Sequence, residues 1–304
     1  LEIEVKTIYL CGPTLYSDIH IGNARSLVLF DVIAEYYRRT GGVKYARNIT
    51  DVDDKILALC GNESPGDWVE RETIPQFRRD ELSLGLKSPD HEPRASQYIS
   101  EMRVMIGMMS NRLIRRSDGV YFDPQSVYGY GELSNRTTKT PFAVWKFDKN
   151  GWPSDWGHGR PGWHTECTAM ILGIFGGPVD LHGGGVDLKF PHHENENCQC
   201  VAITGNDIAK SWLHVGQVMV DGVKMSKSVG NVMTVNDLSK DWSTGALRVA
   251  LLMSDYRKPI DMTVARLKEA EKVFGKRPET AWLSDVEWSD HQFDMMLKGY
   301  VTRF

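Results

Sequence analysis

Two short strings in this chain are suited to handling phosphate: His20-Ile21-Gly22-Asn23 and Lys224-Met225-Ser226-Lys227-Ser228. His20 and Gly22 stand where an apolar strand gives way to a helix. Backbone N–H groups and the helix dipole favour an anion there, and Gly22 admits the close approach of a nucleotide. Taken alone, a histidine at a helix start serves as a cap or a surface residue as readily as a catalyst. Lys224 and Lys227 lie three apart in a loop of small and flexible residues, and two such charges can swing onto a developing pyrophosphate, as nucleotidyl transfer requires. A short lysine cluster otherwise reads as a solvated basic loop. A third set is Cys11, Cys167, His192 and Glu196. On a helix His192 and Glu196 share one face, and two thiolates, an imidazole and a carboxylate make a four-coordinate zinc set. Scattered Cys and His also fill cores, and Cys198 with Cys200 competes as a ligand pair. Spacing alone leaves both readings open.

Positions about two hundred residues apart need a frame that brings them together. Thr7-Ile8-Tyr9-Leu10-Cys11 reads as a strand ending in a glycine turn, a helix follows from Ala24 to Arg39, and Val43 to Ile49 reads as a second strand. This is a parallel βαβ unit opening a Rossmann-like, doubly wound α/β sheet, whose ligands gather at the carboxyl ends of the strands. Cys11 and Thr50 are expected there. Residues 1–59 form the first half of this catalytic domain, and 60–140, helical and polar with a β-like piece at 119–122, form a connective insertion. The sheet is expected to resume at Phe142-Ala143-Val144-Trp145 and to occupy 141–220. A helix from Thr165, a strand at 179–182, a helix from Pro191 and a strand from His214 to Val220 complete it. Residues 221–263 hold the lysine loop and a stem-contact region, and 264–304 begin a helical C-terminal region that stops short.

Composition narrows the function classes. The chain has 304 residues, 41% hydrophobic and 25% charged, with a formal net charge of -4 and an isoelectric point near 6.2. Proteins that coat nucleic acid indiscriminately show a basic excess instead. No apolar run reaches the ~20 residues of a membrane span, and no signal-peptide pattern opens the chain, so a cytoplasmic protein with no membrane partner is expected. Five cysteines, an odd number, argue for reduced thiols.

The pairing of His20-Ile21-Gly22-Asn23 with Lys224-Met225-Ser226-Lys227-Ser228 on either side of a split parallel sheet resembles the class I aminoacyl-tRNA synthetase signature. Further strings narrow the resemblance to the cysteinyl-tRNA synthetase family. They are residues 9–14, 47–55, Gly159 to Cys167, Asp180 to Leu188 and Phe190 to Glu196, so that with the lysine loop the likeness spans 9–228. The resemblance implies that Cys11, Cys167, His192 and Glu196 hold one Zn2+, with His193, Cys198 and Cys200 outside it. It places Gly12, Thr50 and Trp163 around the bound cysteine. ATP, accompanied by Mg2+, is the expected nucleotide substrate, and L-cysteine and tRNA(Cys) are the other partners. In this scheme His20 meets the phosphates beside Gly22 and Asn23, Lys227 with Lys224 meets the β and γ groups, Gly183, Gly184 and Gly185 pack against the adenosine, and Asp187 takes the ribose hydroxyls. A monomer is the family expectation.

Cysteine differs from serine by one atom, and shape alone separates near-isosteres by only ~10²-fold. A borderline-soft ion distinguishes thiolate from hydroxyl chemically. Two other readings compete: a ligase joining cysteine to an amino-sugar through the same adenylation, and a non-catalytic zinc-containing nucleotide- or RNA-binding paralogue. His182 and Glu194-Asn195-Glu196 favour the synthetase over the first, and His20, Lys224 and Lys227 weigh against the second. The chain departs from the family pattern at Asn23, where a histidine is common, between Ser134 and Pro141, which looks short, and beyond Val264, where only about forty residues follow.

Overall fold

The computed structural model describes residues 5–136, 138–226 and 229–275. The first strand, β1 (Lys6–Leu10), is followed by helix α1 (Ile21–Thr40) and strand β2 (Val43–Arg47). Every residue of α1 from Ala24 to Glu35 is buried. A helix buried on all sides needs packing on all sides, and partners for the polar Arg25, Ser26, Asp31 and Glu35 within it. Helices α2 (Asp54–Cys60), α3 (Pro65–Glu72), α4 (Ile74–Ser83) and α5 (Ile99–Met108) come next, then strands β3 (Leu113–Arg116), β4 (Gly119–Phe122), β5 (Phe142–Trp152) and β6 (Gly159–Pro161). Helix α6 (Trp163–Phe175) leads to β7 (Val179–Gly185), and a wide turn at Lys189–His193 runs into α7 (Glu194–Thr204). The remainder is β8 (Ala209–Val215), β9 (Val218–Val220), β10 (Val223–Lys224), α8 (Val235–Leu238), α9 (Thr244–Leu252), β11 (Ile260–Asp261) and α10 (Val264–Phe274).

Four strands form one parallel sheet in the order β2-β1-β7-β8, with Ile8 of β1 set between Tyr45 and Leu181. The chain runs outward from β1 to β2 on one side and from β7 to β8 on the other. The carboxyl ends of β1 and β7 therefore flank the switch point where open α/β sheets take their ligands. Cys11 and Gly185 lie at those ends. The Rossmann-like α/β expectation holds, with two corrections of detail.

The strand beginning at Phe142 does not continue the parallel sheet. It lies in a separate antiparallel sheet, β3-β4-β5-β6, running on to Trp152 and pairing with β4 and β6. Phe142, Val144 and Trp145 close a core with Phe122 and Ile106 that is distinct from the core around α1. A short apolar run states that a strand is buried and not which sheet it joins. The single strand expected from His214 to Val220 is likewise two. Strand β8 ends the parallel sheet at Val215, while β9 pairs antiparallel with β10 and parallel with β11.

Candidate active site and metal centre

A cleft of about 360 Å³ opens at the switch point, lined by the end of β1, the start of α1, the end of β7, the β8–β9 turn and the β9–β10 hairpin. Its walls bring together Cys11, Gly12, His20, Gly22, Asn23, Trp163, Gly185, Asp187 and Lys224. His20 occupies the N-cap of α1, and its Nδ1 accepts a hydrogen bond from the Asn23 amide at 3.2 Å. That tautomer carries its proton on Nε2. A Cβ on Gly22 would approach the His20 ring at 2.9 Å and Met225 Cε at 3.4 Å, so the hairpin that carries Lys224 lies directly over the helix start. The segment after the lysine loop is tied to the same place: the Ile21 amide donates to the Met233 carbonyl at 3.0 Å, and His20 pairs with Thr234. Lys227, with Ser228, lies outside the described residues.

Behind Cys11 and Trp163 is the four-residue cluster. The ligand atoms of Cys11, Cys167, His192 and Glu196 all lie within 4.8 Å of one another, and all four residues are buried. Cys11 Sγ stands 3.6 Å from Cys167 Sγ, 3.5 Å from His192 Nε2 and 3.5 Å from Glu196 Oε1. A tetrahedral zinc with ordinary Zn–S and Zn–N bonds sets its ligand atoms about 3.3–3.8 Å apart. The thiol distances fit that geometry; the His192–Glu196 contact, at 2.5 Å, is a direct ion pair. Trp163, partly exposed, stacks on His192 with ring centres 4.1 Å apart.

The charges in this cluster are not those of isolated side chains. Burial pushes the Cys11 thiol up. Cys167 is pushed up by burial too, but the hydrogen bond from Cys11 and the His192 imidazole outweigh it and bring it down to about 6. Burial works against a charged His192, yet Glu196 and Cys167 raise it to about 10. Glu196 is held well below the usual carboxylate range because His192 and His182 outweigh its burial. Two buried anionic groups thus share a positive charge that a proton on His192 supplies. A divalent ion held by the same atoms would take over that charge and release the proton.

A second set of donors, Cys11, His182, His193 and Glu196, overlaps the first. Only the Nδ1 atoms of its imidazoles are engaged elsewhere, His182 Nδ1 with the Tyr9 carbonyl at 3.2 Å and His193 Nδ1 with His214 Nε2 at 2.9 Å, while His182 Nε2 bonds Glu196 at 2.6 Å and His193 Nε2 has no hydrogen-bond partner among the described residues. Cys198 packs in the core beneath β5, and Cys200 Sγ contacts Thr204 Oγ1, so neither joins a metal set among the described residues.

The remaining expected residues divide. Gly12 gives its amide to Asn48 Oδ1 at 3.0 Å, and a Cβ there would lie 1.8 Å from the Asn48 carbonyl oxygen. Thr50 is buried behind Thr14 rather than on the cleft wall, with its Oγ1 accepting from Asn48 Nδ2. Gly185 reaches the cleft. Gly183 and Gly184 do not; a side chain on Gly183 would strike Phe30 and the Leu213 carbonyl, and one on Gly184 would meet Leu188 and His193. Their small size serves the packing of α1 and the imidazoles against the sheet.

Residues 2–272 match the family described as tRNA synthetases class I (C) catalytic domain. The chain belongs to this family. It is 42% identical over 318 residues to the cysteine--tRNA ligase of Rhizobium etli, covering 91% of this chain and 69% of that protein. To the cysteine--tRNA ligase of Pseudomonas aeruginosa it is 40% identical over 289 residues, covering 87% and 63%. The fold is that of a class I synthetase. Methionyl-tRNA synthetase of Mycobacterium tuberculosis, in complex with methionyl-adenylate, superimposes with a TM-score of 0.74 at 13% identity, over 98% of this chain and 81% of that one. A putative arginyl-tRNA synthetase from Campylobacter jejuni gives 0.64 at 11% identity, over 89% and 68%.

Within this synthetase frame, three residues matter to which motif reading gave no role in the site. His182 bonds Glu196, Arg25 is buried in the first turns of α1, and His214 closes a row of imidazoles with His193. His182 carried a signal, an aromatic polar ring in the matched run Asp180 to Leu188, directly before three glycines. Arg25 carried none, since a charged residue near a helix start reads as exposed.

Proposed function

We propose that this chain activates L-cysteine with ATP, giving cysteinyl-adenylate and pyrophosphate, and then transfers cysteine to the 3' end of tRNA(Cys). Its 42% identity to a cysteine--tRNA ligase supports the reaction. The observation that carries the specificity is the buried Cys11, Cys167, His192 and Glu196 cluster seated behind a cleft that His20, Gly22 and Lys224 line. The donor set suits zinc: two soft sulfurs, one imidazole and one carboxylate, with the sulfurs at tetrahedral spacing. When bound there, zinc supplies a borderline-soft acceptor that favours the substrate thiolate over the hydroxyl of serine.

The chain's own residues then do the positioning. Trp163, stacked on His192, covers the cluster from the cleft side, and Gly12 and Thr50 shape the backbone beside the amino acid. In the first step the substrate carboxylate oxygen attacks the α-phosphorus of ATP, and the bond to the β,γ-pyrophosphate breaks. His20, with a proton on Nε2, and Lys224 with Lys227 meet the negative charge that leaves. Asp187 and Gly185 hold the ribose and adenine side, and Mg2+ accompanies the nucleotide. In the second step the terminal ribose hydroxyl of tRNA attacks the adenylate carbonyl, and AMP departs. In this reading 1–59 and the later part of 141–220 are the catalytic halves, the insertion expected at 60–140 extends through Pro161 because β5 pairs with β4 and β6 rather than with the parallel sheet, 221–263 hold the lysine loop and stem-contact region, and 264 onward is the start of a tRNA-reading part. No helix among the described residues is long and apolar enough to cross a membrane.

The test is exchange of labelled pyrophosphate into ATP with cysteine, with serine and with no amino acid, before and after zinc is stripped. Exchange that needs cysteine and falls on zinc removal is the expected result. Exchange supported equally by serine, or untouched by stripping, would overturn the zinc-selection reading.

A further inference from the structure

Arg25 sits in the second turn of α1, 1% exposed, and every hydrogen bond it makes is to a main-chain carbonyl. Nη1 donates to the carbonyls of Gly216 at 2.6 Å and Lys258 at 2.8 Å, with Gln217 more distant at 3.5 Å. Nε donates to Leu251 at 3.3 Å and Nη2 to Asp255 at 3.3 Å. These acceptors come from two places: the β8–β9 turn, and the segment from the last turn of α9 into the loop after it.

A buried guanidinium with no carboxylate hydrogen-bonded to it is an expensive way to hold a fold together. Apolar residues of similar volume commonly replace buried charges at no loss of stability. What the guanidinium supplies instead is direction, since its five donors form a rigid planar fork. Here the fork converges two loops on one helix. The position of the β8–β9 turn decides where the hairpin β9–β10 projects, and that hairpin carries Lys224 and Met225 over Gly22. The turn itself has no slack: the Gly216 amide donates to the Tyr256 carbonyl at 2.7 Å, and a Cβ on Gly216 would lie 2.2 Å from the Lys258 carbonyl oxygen. Gly216 and Gln217 also line the cleft.

We infer that Arg25 is a positioning residue for adenylate formation, a clamp that sets the spacing between the His20 end of α1 and the Lys224 hairpin. This rests on the adenylation proposed above. The thiol cluster, built from the residue after β1, from α6, and from the turn before α7 and its first residues, lies outside the clamped segments. Loss of the clamp therefore harms the nucleotide side and spares cysteine binding.

The experiment compares wild type with Arg25→Met, Arg25→Lys and Gly216→Ala in cysteine-dependent pyrophosphate exchange, with active sites counted by adenylate burst and ATP binding followed by calorimetry. Misplacement by about 1 Å far from the chemistry can cost on the order of 10²-fold, and a loss of that size in kcat per active site is expected for Arg25→Met. The KM for cysteine should stay within about twofold of wild type, since uniform binding at the thiol is untouched. Arg25→Lys, which keeps one charged donor, should recover part of the loss, and Gly216→Ala should reproduce it from the other side of the clamp. A merely structural arginine would lower the melting temperature and the number of active sites while leaving kcat per site at wild type. That outcome overturns the inference, as does an equal loss for cysteine and ATP. If Arg25→Met does not fold, the other two variants decide by the same criteria. A wild type without cysteine-dependent exchange would sink the adenylation reading; the clamp would then stand or fall on whether the variants weaken ATP binding.

Discussion

His182 Nε2 lies 2.6 Å from Oε2 of Glu196, and its other ring nitrogen faces the Tyr9 carbonyl, so the imidazole is fixed at both ends and turns Oε1 of Glu196 toward the thiols. A carboxylate with one oxygen engaged has one orientation to offer an ion. Groups that orient a ligand in this way are worth about 10–100-fold in metal affinity. His182→Ala is expected to weaken zinc by that amount while leaving the protein folded, as measured by competition with a chromophoric chelator. Wild-type affinity in the variant would mean that Glu196 is oriented by the helix alone.

Cys167 contributes a sulfur 3.6 Å from that of Cys11, and no residue of the nucleotide side touches it among the described contacts. Replacing it by serine substitutes a hard oxygen for a soft sulfur in the donor set. Cys167→Ser should raise the KM for cysteine by about tenfold or more, a loss near 1.4 kcal/mol or greater, with the KM for ATP nearly unchanged. Equal losses for both substrates would mean that the cluster supports the whole cleft rather than the thiol pocket.

The set Cys11, Cys167, His192 and Glu196 was legible through the family resemblance, because all four sit in the matched strings; spacing alone left Cys198 and Cys200 open as a competing pair. The opening βαβ unit was legible for a simpler reason: apolar runs with a glycine stop between them have few other folds to adopt. What was not legible depends on which element is neighbour to which. Phe142 to Trp145 looks like any buried strand, and only its partners β4 and β6 assign it to the antiparallel sheet. Gly183 and Gly184 looked like nucleotide contacts because glycine permits close approach, yet the approaching groups are Phe30 and His193 of the protein itself. Arg25 was invisible because its acceptors are carbonyls more than 190 residues away, and carbonyls leave no mark in a sequence.

Gly12 follows Cys11 at the end of β1, where the chain passes so close to β2 that a Cβ would lie 1.8 Å from the Asn48 carbonyl oxygen. The obstacle is backbone on both sides, so a rotamer change cannot relieve it. Gly12→Ala is expected to cost about 1–3 kcal/mol, the usual range for overpacking. Because Asn48 bonds both the Gly12 amide and Thr50 Oγ1, the displacement should also reduce cysteine-dependent exchange more than the lowered stability explains. Denaturation midpoints measured beside exchange rates separate the two effects; a stable variant with full activity would show that the strand ends part without consequence.

The carboxyl end of β2 is anchored by charge as well as by packing, and this anchor is sensitive to acid. Arg47, 2% exposed, bonds both Glu81 and Glu92, and Arg78 bonds the same two carboxylates from the surface side. Burial alone would push the Glu92 carboxyl up, but the hydrogen bond from Arg78 and the charge of Arg47 outweigh it and hold Glu92 below its ordinary value of 4.5. A carboxylate whose folded value is depressed contributes stability that is complete above its unfolded value and is lost as pH falls through the folded one. Wild type should therefore lose stability on acidification below about pH 4.5. Glu92→Gln, which retains a hydrogen-bonding amide without the charge, should be less stable at neutral pH by about 1–3 kcal/mol and should show a shallower acid loss, so that the two curves converge. Parallel curves would place the acid sensitivity elsewhere, whereas convergence would tie the stability of the Asn48–Thr50 corner to the ion pairs behind it.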